Sequence, residues 1–314
     1  MTVRTRLLGT LATGAVAAAL LTGCGSDDQV TDLPNTTDSS QTPSETSTPS
    51  PAPTDTITPS TPSTPNTSAS TGDQVAVPAY FVGQTPMGKR LYREFQDVSP
   101  DAPVDEALAL IASDAAQDPD YTTLLPVGEG VPKSYNQDEG FAVSVPEAWA
   151  DAPEGMTTQE AQLAVQQIVY TVQGVLQDRT PIQFVDANGD PSTVLGLTAP
   201  DGGFTAAKFD QVLALVNVTT PTEGQTVSGT FSAEGVASSF EGNVPWEIDD
   251  SSGSKVLDGS AQADGYIDDV YPWKTDVDVS SLSPGTYTFV ASTDDASGSE
   301  GPGPTKDTKT ITVQ

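Results

Sequence analysis

Three pairs of adjacent aspartates are the first candidates for chemistry in this chain: Asp249-Asp250, Asp268-Asp269 and Asp294-Asp295. Two carboxylates held roughly 5 to 10 Å apart across a sugar are the machinery of most glycoside hydrolases. Neighbouring residues on a strand, however, project from opposite faces, and aspartates in turns are solvated. Nothing in the sequence marks one of these carboxylates for burial, so a carboxylate-dependent enzyme acting on glycans is kept as an alternative hypothesis.

A second candidate is Asp186–Asp190, whose D-x-N-x-D pattern begins like the calcium loop of an EF-hand. That loop needs a glycine at its sixth position and a bidentate glutamate at its twelfth. Pro191 and Leu197 stand there instead. We therefore predict a hairpin turn at Asn188-Gly189 and no resident metal or cofactor. A weak calcium site on the acidic loops, as in a calcium-dependent adhesin, stays open as a further alternative.

Three aromatic residues of one segment, Tyr266, Tyr271 and Trp273, suggest stacking against a sugar. Against this, Tyr271, Trp273, Val277 and Val279 alternate along the chain and so share one face of a strand. That pattern favours a core position for Trp273. Tyr266 lies outside the alternation, and both interpretations stay open for it.

The composition excludes several classes of function. The 314 residues contain no histidine and one cysteine, which rules out nucleophile systems with histidine, histidine-bound zinc sites and an internal disulfide. There are 43 Asp and Glu against 12 Lys and Arg, a formal net charge of −31. Nucleic-acid binding depends on cations that neutralise phosphates, so we predict no nucleic-acid partner. With no catalytic constellation visible, we predict that the protein is not an enzyme.

The N-terminal segment has the features of an export signal. Arg4 and Arg6 precede an uncharged run over 7–23, which is too short and too rich in glycine for a spanning helix. The run ends in Leu21-Thr22-Gly23-Cys24, which resembles the bacterial lipobox. The resemblance implies that residues 1–23 are a signal peptide and that Cys24 is lipidated, with palmitate or a similar acyl chain. Ordinary cleavage that leaves a free Cys24 thiol is the alternative.

Lipidation implies a location at the extracytoplasmic face of the cell membrane, with the bilayer as a partner through the anchor. The next segment, 24–74, is predicted to be a disordered tether. Ser, Thr and Pro make up 31 of the 50 residues from 25 to 74, and no aromatic or basic residue occurs there. An unmodified spacer and an O-glycosylated one are both compatible with this composition.

Residues 75–205 are predicted to form an α+β domain. VAVPAYFVG and KRLYREFQDV have the composition of strands, and 104–116 has helical spacing of its apolar residues, ending with Ala115. Phe141, Val143 and Val145 alternate as in a half-buried strand. A second helix is predicted to follow Thr157, which forms a capping box with Glu160, and to bury one apolar face. The strand TPIQFV then leads into the turn at 188 and 189.

Residues 213–314 alternate with period two and are predicted to form an antiparallel immunoglobulin-like β-sandwich of about seven short strands. Tyr287, directly after a Pro-Gly turn, occupies the place of a tyrosine corner. The runs that carry this pattern are VLALVNVTTP, QTVSGTFSAEGVA, NVPWEIDD, YPWKTDVDV, GTYTFVAST and TKTITVQ.

Both domains resemble known families. AVPAYFV, DEALALI, GFAVSVP and above all LAVQQIVYTVQGVLQDRTPIQFVDANG resemble the GerMN domain, the sporulation and spore germination module of envelope lipoproteins. PTEGQTVSG, ASSFEGNVPWEIDD and LSPGTYTFVASTDD resemble the Gmad-type immunoglobulin-like domain of bacterial spore germination. The likenesses cover 75–205 and 213–314. They imply a non-enzymatic binding or scaffold role toward an envelope protein or a cell-wall polymer, linked to sporulation by family name only. A carboxylate-dependent enzyme acting on wall glycans and a calcium-dependent adhesin are the alternatives.

Overall fold

A long antiparallel hairpin begins the described part of the chain. The computed structural model describes residues 74–136, 140–294 and 301–314. Strand β1 (Val75–Thr85) pairs along its whole length with β2 (Gly88–Val98), from Val75 opposite Val98 to Thr85 opposite Gly88. Gly88 has a φ of 96°, a conformation that glycine adopts without steric cost and that closes the turn. Both strands predicted from the sequence are confirmed.

The remaining elements of the first domain alternate between helix and strand. In chain order they are α1 (Pro103–Ala112), β3 (Lys133–Asn136), β4 (Phe141–Ser144), α2 (Thr158–Leu176), β5 (Ile182–Val185) and α3 (Phe209–Val212). Helix α1 ends earlier than predicted, because Asp114 has a left-handed φ of 56°. Ala115 therefore lies beyond the helix, and its placement on the helical face was wrong.

Helix α2 begins where the capping box predicted. The Glu160 N–H donates to Thr157 Oγ1 (3.2 Å), and the Thr157 N–H donates to Glu160 Oε2 (3.0 Å). The prediction of one apolar face was incomplete, because α2 is buried on several sides. Its residues enter two apolar clusters, one around Ile168 and the other around Tyr170.

The second sheet of this domain has three strands, with β4 between β3 and β5. Strand β4 is antiparallel to β3 and parallel to β5. Ala142 and Val143 are both completely buried, so β4 is covered on both faces. The predicted half-buried alternation was wrong here, since a small residue such as alanine can occupy an inward position as well as an outward one.

The second domain is a β-sandwich. Its described strands are β6 (Val216–Thr220), β7 (Gln225–Val227), β8 (Thr230–Ala237), β9 (Asn243–Asp249), β10 (Lys255–Ala263), β11 (Tyr271–Asp278), β12 (Gly285–Ser292) and β13 (Lys306–Val313). They form one hydrogen-bonded sheet in the order β6-β8-β11-β10-β9-β12-β13-β7, antiparallel except for β13 and β7. Side chains from all eight described strands meet in a single apolar cluster, so the sheet folds over on itself. The predicted fold class is confirmed.

Two predicted features of the sandwich are confirmed and one strand is new. The Tyr287 hydroxyl donates to the Ser283 carbonyl (2.9 Å), which is the hydrogen bond of a tyrosine corner. Trp273 is 3% exposed and belongs to the core. Strand β10 was missed, because most of its side chains are exposed and its apolar residues are few.

The predicted signal peptide (1–23), Cys24 and the predicted tether (24–74) lie outside the described residues, apart from Gln74 at the tether's end. Within the described ranges, no helix combines the length and the apolar character that crossing a bilayer requires.

Candidate binding site

One aspartate of each pair accepts a hydrogen bond from a side chain. Asp250 accepts a hydrogen bond from the Ser252 hydroxyl (2.6 Å), and this bond, followed by backbone N–H donors, holds the pKa of Asp250 below its ordinary value. Asp268 accepts from the Tyr271 hydroxyl (2.7 Å), and Asp294 accepts from an asparagine amide (3.0 Å). The last aspartate of the third pair lies outside the described residues. Asp268 and Asp269 also line a cavity of about 580 Å³ between 170–179, 205–210 and their own loop.

The Asp186–Asp190 segment forms the predicted turn. Asp186 Oδ1 accepts the N–H groups of Asn188 (2.8 Å) and Asp190 (2.9 Å). These backbone bonds, the one from Asp190 first, lower the pKa of Asp186. Over the described residues, no group of three or more Cys, Asp or Glu side chains is arranged to hold a metal ion.

A groove of about 920 Å³ lies in the first domain. Three segments form its walls: the hairpin turn at 84–90, the start of helix α2 at 157–166, and the chain from 197 to 212. We call this cavity the groove. Its volume lies in the range that ligand sites usually have, about 300 to 1,000 Å³.

The floor of the groove is apolar. Leu163 and Val165 come from helix α2, and Val212 comes from the chain that leads into the sandwich; all three are buried. Leu197 and Phe204 add partly buried surface that packs against the core of the first domain. An apolar floor of this kind can bind an apolar surface of a ligand.

Two cations stand on the hairpin side of the groove. Lys89 pairs with Glu160 (2.6 Å), and hydrogen bonds from Lys89 first and then Thr157 lower the pKa of Glu160 to about 2. Arg90 makes no ion pair among the described residues; its Nη1 donates to the Lys89 carbonyl (2.9 Å), and its Nε is buried without an acceptor. The positive charge of Arg90 therefore has no carboxylate partner among the described residues.

Glutamines form most of the remaining rim. Gln166 is fully engaged, because its amide donates to the Thr205 carbonyl (3.0 Å) and accepts the Ala207 N–H (2.8 Å). By contrast, the exposed amides of Gln159, Gln162 and Gln211 have no hydrogen-bond partner within the described chain. Each free amide can donate and accept at once. The groove thus combines an apolar floor, neutral amides and one guanidinium that forms no ion pair among the described residues.

A buried polar cluster joins the two domains. Lys309 of β13 is 4% exposed and pairs with Asp118 of the first domain. Its Nζ also donates to the Tyr121 hydroxyl (2.8 Å) and lies 3.4 Å from Asp307 Oδ1. Asp118, Tyr121, Asp307 and Lys309 are called the interdomain cluster below. All three ammonium donors of Lys309 have acceptors, which is the condition under which a buried charge is tolerated.

Backbone and side-chain donors complete the interdomain cluster. The second oxygen of Asp307 accepts the Val218 N–H (2.5 Å) and the Asn217 amide (3.1 Å), while the Tyr121 hydroxyl donates to the first oxygen (2.6 Å). The Asp118 N–H donates to Glu94 (2.8 Å). Nearly every polar atom of the cluster is therefore satisfied by another part of the chain.

The ionisation of the interdomain cluster follows from burial and charge. Burial opposes the ammonium of Lys309, but the carboxylates of Asp307 and Asp118 outweigh it and raise the pKa of Lys309. Burial, reinforced by the same carboxylates, raises the pKa of Tyr121 well above its ordinary value. A nucleophilic lysine needs a lowered pKa. The arrangement therefore fits a structural clamp.

We expect the folded protein to lose stability above pH 10. The raised pKa of Tyr121 means that the folded state keeps a proton which the unfolded chain releases near pH 10.0, so stability falls as the pH rises through that value. Lys309 acts in the same direction, since its contribution is complete below 10.5 and is lost as the pH rises through its folded pKa. Each retained proton accounts for at most about 1.4 kcal/mol per pH unit.

Thermal unfolding between pH 8 and 11.5 measures this loss. In Tyr121→Phe the alkaline decline of Tm should be shallower than in the parent, whereas the exposed control Tyr266→Phe should leave it unchanged. Equal declines in all three proteins would contradict the assignment to the interdomain cluster.

Sequence reasoning missed both the groove and the interdomain cluster. A signal for the cluster was present, because Asp307, Lys309, Ile311 and Val313 occupy successive inward positions of β13. Charged residues in phase with core residues indicate a buried ion pair. The groove has no comparable signal, since its three segments are distant in the sequence.

Each of the two domains matches a family model. Residues 78–193 match the family described as "Sporulation and spore germination", and residues 215–300 match the "Immunoglobulin-like domain of bacterial spore germination". The two matches follow each other in that order along the chain. Both resemblances predicted from the sequence are confirmed. The groove lies largely in the germination domain, and the interdomain cluster ties that domain to the immunoglobulin-like domain.

Other comparisons add little to this assignment. The search of curated proteins gives no significant match. Among solved structures, an endo-β-1,4-mannanase from Thermotoga petrophila is similar at 12% identity and a TM-score of 0.26. The similarity covers 51% of this chain and 36% of the mannanase, so the chain spans little more than a third of that protein's length. Neither germination-family description names an enzyme.

Proposed function

We propose that this protein is a lipid-anchored adaptor at the extracytoplasmic face of the cell membrane, which binds a cell-wall polymer in the groove without transforming it. The proposal rests on the Arg90 guanidinium, which forms no ion pair among the described residues, and on the unpartnered amides above an apolar floor. The family descriptions associate both domains with sporulation and spore germination. An envelope role agrees with that association.

The chemistry of the groove favours a polymer that carries sugars and short peptides. Hydroxyl and amide groups complement the free glutamine amides, which donate and accept hydrogen bonds equally. A carboxylate on the peptide complements Arg90, in a chain whose net charge of −31 otherwise repels anions. The apolar face of a sugar ring or a methyl group complements Leu163, Leu197 and Phe204.

A binding role without catalysis is supported by the state of the ionisable groups. Glu160, the acid at the groove, is held by Lys89 and Thr157 as part of the helix cap, and its lowered pKa makes it a poor proton donor or acceptor near neutral pH. Lys309 and its partners are enclosed between the domains. Neither set is poised for proton transfer to a ligand.

The anchor is proposed from the lipobox-like sequence Leu21-Thr22-Gly23-Cys24, which ends at the only cysteine of the chain. Acylation there places the folded domains outside the membrane at the end of the tether. The wall polymer is then the extended ligand nearest to the groove.

Arg90→Ala is expected to weaken binding of the full-length protein to purified cell wall about tenfold or more. A hydrogen bond to a charged group contributes about 1.5 to 3 kcal/mol, and about 1.4 kcal/mol corresponds to a factor of ten. Co-sedimentation of the detergent-solubilised protein with insoluble wall measures the affinity. Arg179→Ala removes the same charge from an exposed site outside the groove and is the matched control.

Two results would count against the proposed function. Equal wall binding by the parent, Arg90→Ala and Arg179→Ala would show that Arg90 and the groove do not bind the cell wall. Release of soluble wall fragments by the purified parent would favour the alternative of a carboxylate-dependent enzyme instead.

A further inference from the structure

Three large apolar side chains are exposed on two loops of the immunoglobulin-like domain. Phe240 is 53% exposed, Tyr266 is 39% exposed and Ile267 is 75% exposed, the highest fraction among the large apolar residues described. We call these three residues the apolar tip. Single exposed apolar residues are normal on a protein surface, but a group of them on adjoining loops indicates an interaction site.

Hydrogen bonds hold the two loops together. The Ile267 N–H donates to Ser238 Oγ (3.3 Å), two residues before Phe240. The Gln262 amide donates to the Glu241 carbonyl (2.8 Å), one residue after Phe240. The loops that carry the apolar tip are therefore neighbours at one end of the sandwich.

Two non-glycine residues of these loops have a left-handed backbone conformation. Ile267 has a φ of 84° and Glu241 has a φ of 54°. The left-handed region suits glycine, and a β-branched residue there is a genuine outlier. Ile267 does not recover this cost by burial, because three quarters of it is exposed. Strain combined with exposure is typical of residues kept for contact with another molecule.

The charged residues on the two loops that carry the apolar tip are all acidic. Glu241, Asp264, Asp268 and Asp269 are exposed, and the loop segments 238–243 and 262–270 contain no basic residue. Two cations of the neighbouring germination domain, Arg179 and Lys208, line a cavity of about 580 Å³ together with Ile267–Asp269. Neither cation forms an ion pair among the described residues.

We infer that the apolar tip docks into an apolar pocket of a basic protein partner. A hydrophobic centre with a charged rim is the usual anatomy of a protein interface, and the acidic rim selects a partner of opposite charge. A second copy of this chain would set acid against acid, and an anionic membrane surface would meet the same repulsion. This surface lies on the other domain from the groove, so the inference goes beyond the proposed function and does not depend on it.

Site-specific photocrosslinking on intact cells tests the inference. The full-length protein carries benzoylphenylalanine in place of Phe240 or of Tyr266. The control position is Phe95, which is 39% exposed and belongs to the germination domain. Mass spectrometry identifies the crosslinked peptide. We expect one protein to be captured from both tip positions and not from Phe95, with a crosslinked peptide that is basic and contains apolar side chains.

Two further variants show whether the contact is specific. Ile267→Gly fits a φ of 84° and should leave Tm unchanged or higher, yet lower the yield of the adduct at position 240 about tenfold or more. Asp268→Asn with Asp269→Asn should lower the yield as well, because the rim loses its charge. Arg90→Ala should leave the adduct intact, and the tip variants should leave wall binding intact, which separates this inference from the proposed function.

The inference is overturned by any of three results. These are a self-crosslink with the mass of two copies, a crosslinked peptide that is acidic or lacks apolar residues, and the absence of an adduct at both tip positions. An adduct whose yield is unchanged in Ile267→Gly would also overturn it.

Discussion

Lys309→Met is expected to lower the free energy of unfolding by about 3 to 5 kcal/mol, because it leaves buried carboxylates without their cation. Asp118 and Asp307 are each 2% exposed in their side chains and would have to protonate or admit water. Lys309 belongs to the immunoglobulin-like domain and Asp118 to the germination domain, so the substitution should weaken the contact between the two domains. Chemical denaturation at neutral pH measures the effect.

Lys306→Met is the matched control for this substitution. Lys306 belongs to the same strand, but its side chain is 53% exposed and it lies 3.5 Å from Glu247 at the surface. Exposed ion pairs contribute about 0 to 1 kcal/mol, so the control should stay close to the parent. Similar losses in both variants would show that strand β13, and not the interdomain cluster, is the sensitive element.

Cys24→Ala is expected to move the full-length protein from the detergent phase to the aqueous phase. Each acyl methylene buried in a membrane contributes about 0.8 kcal/mol, and two or more chains hold a protein stably. Removal of the only thiol removes the attachment point for the first chain. Phase partition of whole-cell extracts gives the distribution, and mass analysis of the mature N-terminus gives its modification.

Ser26→Ala, just beyond the lipobox-like sequence, is the control and should stay in the detergent phase. A parent protein that is found in the aqueous phase would refute the anchor. In that case Cys24 would be a free thiol after ordinary cleavage, and the adaptor proposal would lose its location.

The sequence patterns correctly predicted the features that depend on residues a few positions apart in the chain. The capping box at Thr157 fixed the start of α2 because its hydrogen bonds span three residues. Tyr287 was recognised because the tyrosine corner is closed by a bond to Ser283, only four residues away. Trp273 was placed in the core because side chains alternate strictly along a strand.

Features that depend on distant residues were not predicted. Lys309 and Asp118 are 191 positions apart, and only the packing of the two domains brings them together. Strand β10 was missed because hydrogen bonding to β9 and β11, not an apolar pattern, defines it. The groove arises where three separate segments meet, so no single motif encodes it.

The chain from 205 to 214 connects the two domains and also forms part of the groove. Gln166 and Tyr170 hold its first part on helix α2, and the Ala214 N–H donates to the Leu91 carbonyl (2.9 Å). The same stretch supplies Ala207, Gln211 and Val212 to the wall of the groove. If a ligand binds the groove with an affinity that depends on the position of this stretch, its binding is linked to the docking of the two domains. Such a ligand would change the equilibrium between docked and separated domains by the same factor by which docking changes its affinity. A force that pulls the two domains apart would then also change the affinity of the groove for its ligand.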